Sequence, residues 1–446
     1  MAGALALRAV LLWGLALASG GPVLYGEGAV AHAAAIIARG GDPYAPERPG
    51  AFVAANYPPL AFVVAALGEA VGPFFALRLT SIAATLGVAI AIGWRARRPL
   101  PALALAAAFV ALFPVEVWGA AHKPDPLAMA LTALAVLAAA PSWPRAGLAG
   151  TAASLAVLAK PTSLLPLAVV FAYLAWRERR TAWRSGIAAA IAALVLAGAS
   201  FARFDGAGLV EHAVRRNELP LDVAQLPGLI LIGLLALGAF AVSAALTSDA
   251  RLRAYVGGAA LVVLLGAREG ATINYFLDLA VASSLALATV APRTKNPVLP
   301  LALAAQLVVA ALLFHPLDAA ATVGAWGDPR RADVAADLAR TSPHLAEDSG
   351  VLVAHGIEPV IDDLFLWSRL VAAGARVDDV TPRVAAGEFA SVISEVPLES
   401  LAAAPGFERQ RWSPALAGAV LEAYRLDVAT DHAYRYVPRR VVVERP

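Results

Sequence analysis

The chain has 446 residues, 60% of them hydrophobic and 15% charged, with a net charge of +2 and a mean hydropathy of +0.69, which excludes an ordinary soluble domain and leaves a polytopic membrane protein. That charge, with no basic run interleaved with aromatics, gives no support for a nucleic-acid partner. The absence of cysteine removes disulfides, thiolate catalysis and Cys-ligated zinc together.

In chain order, residues 1–24 carry one early charge, Arg8, then an apolar run ending in Ala16-Leu17-Ala18-Ser19. A signal-peptide cleavage site has that ending, but the weak charged region favours a retained first span. Residues 25–60 form a polar, Pro-interrupted stretch holding Glu27, Asp42, Glu47, Tyr44 and Tyr57, the kind of loop in which a membrane enzyme keeps its chemistry. Within it, AHAAAIIAR predicts a short helix lying along the membrane interface. Phe75 to Trp94 is long enough for one span, whereas Pro58 to Pro73 is shorter, Pro-bounded, and reads as re-entrant or juxtamembrane.

Further apolar segments run over 99–117, 126–140, 146–159, 161–176, 186–202, 226–247, 254–267, 272–291 and 297–315, which gives about eleven crossings in all. Cytoplasmic loops collect Lys and Arg, so Arg95 to Arg98, Arg145, Arg177 to Arg184, Arg251 with Arg253, and Arg293 with Lys295 are assigned to the cytoplasm. The N-terminus is then inside and the C-terminus outside. From residue 318 to 446 the chain is charged, mixed and without a spanning segment, which predicts a small external α/β domain beyond a transmembrane domain of residues 1–317. Short strands are expected at 351–354 and 389–393, and helices at 331–340 and 363–373.

On this topology one membrane face collects Glu27, Asp42, Tyr57, His122, Lys123, Asp125, Lys160, Arg268, Glu269, Asn274 and Tyr275. An ionisable group near the membrane is a functional candidate, because its desolvation must be offset by a partner or by water. Each also has an ordinary reading. Glu27 alone is an interfacial carboxylate, Lys123 and Asp125 form a local ion pair at a helix start, Lys160 snorkels, and Tyr57 and Tyr275 belong to an aromatic belt. His122 has no second histidine at ligand spacing and reads as structural; the loop Arg203 to Gln225 reads as a solvated surface. Nucleotide-binding GxxxxGK[ST] and GxGxxG patterns are absent, as are HExxH and GxSxG, so no nucleotide cofactor is expected.

The order of features resembles the integral-membrane glycosyltransferases of the GT-C class, in particular bacterial enzymes of the dolichyl-phosphate-mannose mannosyltransferase and aminoarabinose-transferase kind. The residues that carry the resemblance are Glu27 after the first span, Gly41-Asp42-Pro43-Tyr44, Asn56-Tyr57-Pro58-Pro59-Leu60, Lys123-Pro124-Asp125-Pro126 and Gly270 to Asp278. Glu347-Asp348-Ser349-Gly350 and Ile361-Asp362-Asp363-Leu364-Phe365 are similar to the tails of uncharacterised members. The family's paired acids in the first loop are missing, since Glu27 stands between Gly26 and Gly28.

The resemblance implies transfer of a sugar from a polyprenyl-phosphate donor to an acceptor outside the cytoplasm, in a bacterial inner membrane, with inversion. It implies Glu27 and Asp125 as catalytic carboxylates, Glu27 as general base, and Asp42, Tyr44, Asn56, Tyr57, Lys123, Lys160, Arg268, Asn274 and Tyr275 around substrate. Lys123, Lys160 and Arg268 would stabilise the leaving phosphate, and a divalent cation, Mg or Mn, on Glu27 and Asp125 could share that role. The competing readings are a transporter or flippase for a lipid-linked substrate, which calls for ionisable groups near midplane in matching halves, and a scaffold whose tail binds a partner.

Overall fold

The computed structural model describes residues 1–294, 297–314, 334, 338, 343–404, 406–430 and 433–439. Apolar runs that cannot hydrogen-bond to lipid must satisfy their backbone internally, and they do so as helices. These are α1 (Ala2–Ala18), α2 (Glu27–Ala38), α3 (Leu60–Ala66), α4 (Phe75–Ala96), α5 (Pro99–Val110), α6 (Phe113–Trp118), α7 (Asp125–Ala138) and α8 (Trp143–Ala159). They continue as α9 (Leu164–Arg177), α10 (Arg179–Arg203), α11 (Gly206–Ala213), α12 (Leu226–Ala244), α13 (Ala250–Leu264), α14 (Leu277–Val290) and α15 (Val298–Phe314). Among the described residues five helical stretches are long and apolar enough to cross a membrane: Phe75–Ala96, Arg179–Arg203, Val223–Ala244, Ala250–Ala267 and Ile273–Val290. The apolar segment expected over 99–117 is broken into α5 and α6, because Pro114 opens a new helix. Pro58 to Pro73 contains only the short α3.

α14 is the axis of the bundle, buried along its length from Leu277 to Ala288 and packed against α4, α5, α7, α12 and α13. Its alanines and serines let those neighbours approach closely. The arginines assigned to the cytoplasm gather at one end of this bundle. Arg95 pairs with Asp249, Arg251 pairs with Glu178 at 2.7 Å, and Arg184 donates to the carbonyl of Pro141 at 2.5 Å. The opposite helix ends carry the first loop and the C-terminal region.

The C-terminal region holds a four-stranded sheet in the order β1 (His344–Ala346), β2 (Ser391–Ser394), β4 (Tyr434–Pro438), β3 (Tyr424–Ala429). β1 runs parallel to β2, and the other pairs are antiparallel. The expected strand at 351–354 is instead a helical turn, Gly350–Val353; the strand lies just before it, at β1. Of the other expectations there, β2 (Ser391–Ser394) overlaps the strand expected at 389–393 and the helix Leu364–Ala372 falls within the one expected at 363–373, while 331–340 and the boundary near 317 lie largely outside the described residues.

α2 does form where AHAAAIIAR predicts a helix, but it is enclosed by protein rather than laid open along an interface: Ala29 to Ala35 are all buried, against α3 and the turn Gly350–Val353. Gly28 makes this contact possible, since a Cβ there would stand 2.1 Å from the backbone nitrogen of Gly350. Phe52 bonds to the strand-like segment at Val360 to Asp362, donating to Val360 and accepting from Asp362 at 2.8 and 3.2 Å. Ala29, Phe52 and Ala54 therefore share one apolar core with Leu345, Trp367 and Val392.

Two expectations follow. Gly28→Ala should lower the melting temperature of the purified protein by an amount equivalent to about 1–3 kcal/mol, the usual cost of overpacking; an unchanged melting curve would contradict the close contact. Because the chain has no cysteine of its own, single replacements of Arg97, Arg180 and Val377, all exposed, report sidedness. A membrane-impermeant maleimide added to intact cells should label Cys at 377 and spare Cys at 97 and 180. The reverse pattern would invert the topology.

Candidate active site

Glu27 opens α2, yet its carboxylate is turned inward and fully buried. Arg78, equally buried in α4, meets it at 2.5 Å. The amide of Val23 donates to Oε2 at 2.9 Å and the amide of His122 to Oε1 at 2.7 Å. The remaining donors of Arg78 go to the carbonyls of Ala16, Ser19 and Gly21 at 2.7 to 2.9 Å. Burial pushes the Glu27 carboxyl up, but Arg78, His122 and the two amides outweigh it and hold the group below its ordinary 4.5.

A cavity of about 360 Å³ lies beside this pair. Its floor is Tyr25, Gly26, Lys123 and Trp118, and one wall is Lys160, Arg268, Asn274 and Tyr275. Asn56 and Tyr57 close a second side with Asn217. The fourth side comes from the C-terminal region: Asp363, Phe365, Phe407 and Arg411. Sequence reasoning named seven of these as site residues, Asn56, Tyr57, Lys123, Lys160, Arg268, Asn274 and Tyr275, and the fold brings all seven into this one cavity.

Their electrostatics differ. Lys160 pairs with Asp125 and lies over the Tyr275 ring, 4.7 Å from its centroid. Asn274 donates to the same oxygen of Asp125 at 2.8 Å. The expected local pair of Lys123 with Asp125 is thus replaced by a pair across two hairpins, and Lys123 is in no ion pair among the described residues. Burial lowers the Lys123 ammonium from its ordinary range against the opposing pull of Asp363, Glu27, Asp125 and Asp348. Arg268 donates only to the carbonyls of Asn217 and Leu219. Arg411 stacks 3.9 Å over Tyr25 and 4.6 Å over Phe407, with Glu347 and Glu395 taking its charge.

The remaining candidates lie outside the cavity lining. Glu27 does not line the cavity, and both its oxygens are taken, Oε2 by Arg78 and Val23 and Oε1 by His122. Asp125 likewise stands behind Lys160, outside the lining. Asp42 accepts the amides of Tyr44 and Asp205 at 2.9 and 2.6 Å, and Tyr44 is buried with its hydroxyl on the carbonyl of Tyr57 at 2.7 Å; both shape the first loop. A divalent cation on Glu27 and Asp125 does not fit, because Glu27 has no free oxygen, and among the described residues no three His, Asp or Glu side chains group as a metal site. His122 has its Nδ1 on the carbonyl of Phe74 at 3.1 Å.

The loop Arg203 to Gln225, expected as solvated surface, contributes a wall. Arg216 pairs with Glu47 at 2.7 Å and Asn217 donates to the carbonyl of Asn56 at 2.7 Å. Asp363, Phe365, Phe407, Arg411 and Asn217 were missed as site residues. The only sequence signal was the motif Ile361 to Phe365, which carried no role.

Glu27→Gln should act on stability first. It leaves the Arg78 guanidinium buried without its anion, which costs about 3–5 kcal/mol, read as a fall in melting temperature; an unaffected melting temperature with lost turnover would restore Glu27 to the chemistry. Because the folded value lies below 4.5, this contribution is complete above about that pH and is lost as pH falls through the folded value.

No protein-family model matches the sequence, and no curated protein matches it. Solved structures do. ArnT from Cupriavidus metallidurans bound to undecaprenyl phosphate is similar over 97% of each chain with a TM-score of 0.59 at 16% identity. The apo state of the same protein is similar over 96% of each chain with a TM-score of 0.58 at 16% identity. The chain described here therefore has the ArnT fold along nearly its whole length.

Proposed function

We propose that this protein is a GT-C-class glycosyltransferase of a bacterial inner membrane that moves a sugar from a polyprenyl-phosphate-linked donor to an extracytoplasmic acceptor. In this reading the bundle makes about eleven crossings, the shorter helices included, and residues 318–446 face the side on which the acceptor is found. The observation that carries it is the cavity: two cations without a carboxylate partner among the described residues, Lys123 and Arg268, share it with Tyr57, Tyr275 and Phe365 where the outer helix ends meet the first loop. The fold shared with a protein crystallised with undecaprenyl phosphate supports the choice of lipid carrier. A transporter would gather ionisable groups near midplane, whereas Lys160, Asp125 and Arg268 stand at helix ends.

The chemistry follows from the charges. The donor is a phosphodiester, and when the acceptor oxygen attacks the anomeric carbon the bond to the phosphate oxygen breaks and its electrons stay on phosphate. Fixed cations stabilise that growing charge most effectively in a site from which water is largely excluded. Lys123 is best placed, with its ammonium free to take the phosphate. Lys160 is held by Asp125, Asn274 and Tyr275, so it contributes orientation and a weaker field. Attack opposite the departing phosphate inverts the anomeric centre.

Lys123→Met removes one charge-assisted contact, worth about 1.5–3 kcal/mol, and should weaken binding of undecaprenyl phosphate to the purified protein about 10- to 100-fold. In cells, deleting the gene should raise the polyprenyl-phosphate sugar and remove a sugar mass from an envelope glycoconjugate, and Lys123→Met should not restore it. Unchanged affinity in the variant would move the phosphate elsewhere; unchanged glycoconjugates in the deletion would reject the reaction.

A further inference from the structure

With Glu27 outside the cavity lining, the proposed reaction needs a proton acceptor within it. Only two carboxylates line the cavity among the described residues, Glu269 and Asp363. Glu269 is committed to Arg369 at 2.7 Å. Asp363 caps the helix Leu364–Ala372, and its contacts are all on one oxygen: Oδ1 takes the amide of Leu366 at 3.0 Å and the hydroxyl of Tyr25 at 3.1 Å. Oδ2 has no hydrogen bond among the described residues.

The position of that free oxygen is marked by Gly26. Gly26 sits in the left-handed region at φ 75°, and a Cβ on it would lie 2.6 Å from Lys123 Nζ and 4.0 Å from Asp363 Oδ2. The ammonium and the free carboxylate oxygen thus border the same small space, which only glycine leaves open. They do not close on each other as an ion pair. A cation and an anion that line one cavity without pairing suit a reaction with one anionic and one proton-donating partner.

We infer that Asp363, supplied by the C-terminal region, is the general base, taking the acceptor hydroxyl proton on Oδ2 while Lys123 holds the donor phosphate. This rests on the glycosyl-transfer reading. In the step, the acceptor oxygen forms a bond to the anomeric carbon and the bond from that carbon to the phosphate oxygen breaks. Its electron pair leaves on polyprenyl phosphate, and the hydroxyl proton ends on Asp363 Oδ2. Burial raises the Asp363 carboxyl above its ordinary value, against the amide of Leu366, Lys123, Tyr25 and Arg411, which makes its anion a better proton acceptor.

Asp363→Asn is the discriminating variant, because the amide oxygen can keep both Oδ1 contacts and the helix cap while the free anionic oxygen is lost. The purified variant should bind undecaprenyl phosphate no more weakly than the wild type, since an anion facing the phosphate is removed. Its transfer rate should fall about 10²- to 10⁴-fold, so that in gene-deleted cells it accumulates donor and does not restore the glycoconjugate. Restoration at the wild-type rate would overturn the assignment while leaving the reaction standing. Loss of undecaprenyl phosphate binding in Asp363→Asn and in the cap-preserving Asp363→Thr alike would make Asp363 structural and also overturn it. If the wild-type gene itself changes no glycoconjugate, the glycosyl-transfer reading fails and the base assignment goes with it.

Discussion

The buried pair of Glu27 and Arg78 is the constraint on which the site depends. One guanidinium collects the last carbonyls of α1 and the turn after it, and one carboxylate reaches both back to Val23 and across to His122. Three segments that lie far apart in sequence, residues 16–27, Arg78 and His122, are thereby fixed to one point. Buried ion pairs often add little net stability over an apolar replacement, so the gain here is placement: Gly26 precedes Glu27 and Lys123 follows His122, and both face the cavity. The residues that make the anchor stand outside the cavity, while their chain neighbours form its floor.

A second set of contacts seats the C-terminal region. Glu47 in the first loop pairs with Arg216 at 2.7 Å and also with Arg376, while both guanidiniums lie over Phe52 at 5.2 and 5.0 Å from its ring centre. His32 meets Asp362 at 3.1 Å, one residue before the free carboxylate. Because Asp363, Phe365, Phe407 and Arg411 complete the cavity, the site is composite, and docking of the C-terminal region on the first loop determines its shape. Partly buried ion pairs of this sort are screened less by salt than exposed ones, so the docking does not hinge on ionic strength.

Hydropathy made the helices legible, because lipid allows an apolar run few conformations, and α4 falls within two residues of the span read from 75 to 94. Interruptions were less visible: Pro114 restarts the chain as α6 within an apolar stretch. Val351 to Ala354 was misread because a short apolar run fits a buried strand or a buried helix equally well, and packing against α2 decided for the helix. Seven cavity residues were legible as polar groups at one end of apolar segments. The inward turn of Glu27 was not legible for a different reason: its partner lies 51 residues on, within a span, and spacing says nothing about which way a side chain turns. Asp363 meets Tyr25 across 338 residues, a contact that only the fold discloses.

The charge balance of the cavity ties these pieces to the proposed chemistry. Among the described residues its lining groups outside any ion pair are Lys123, Arg268 and Asp363, two positive and one negative, which sum to +1. A polyprenyl-phosphate sugar is a phosphodiester with one negative charge, and its arrival brings the balance to zero. Transfer turns that phosphate into a monoester whose charge approaches −2. If the proton released by the acceptor stays on Asp363, the carboxylate becomes neutral as the phosphate gains its second charge, and the balance remains zero throughout. In a buried site, where uncompensated charge is costly, that compensation avoids the excess positive charge that a third fixed cation would leave in the donor complex. Lys160 with Asp125, and Arg411 with Glu347 and Glu395, already have carboxylate partners before substrate arrives, which leaves them to shape the cavity.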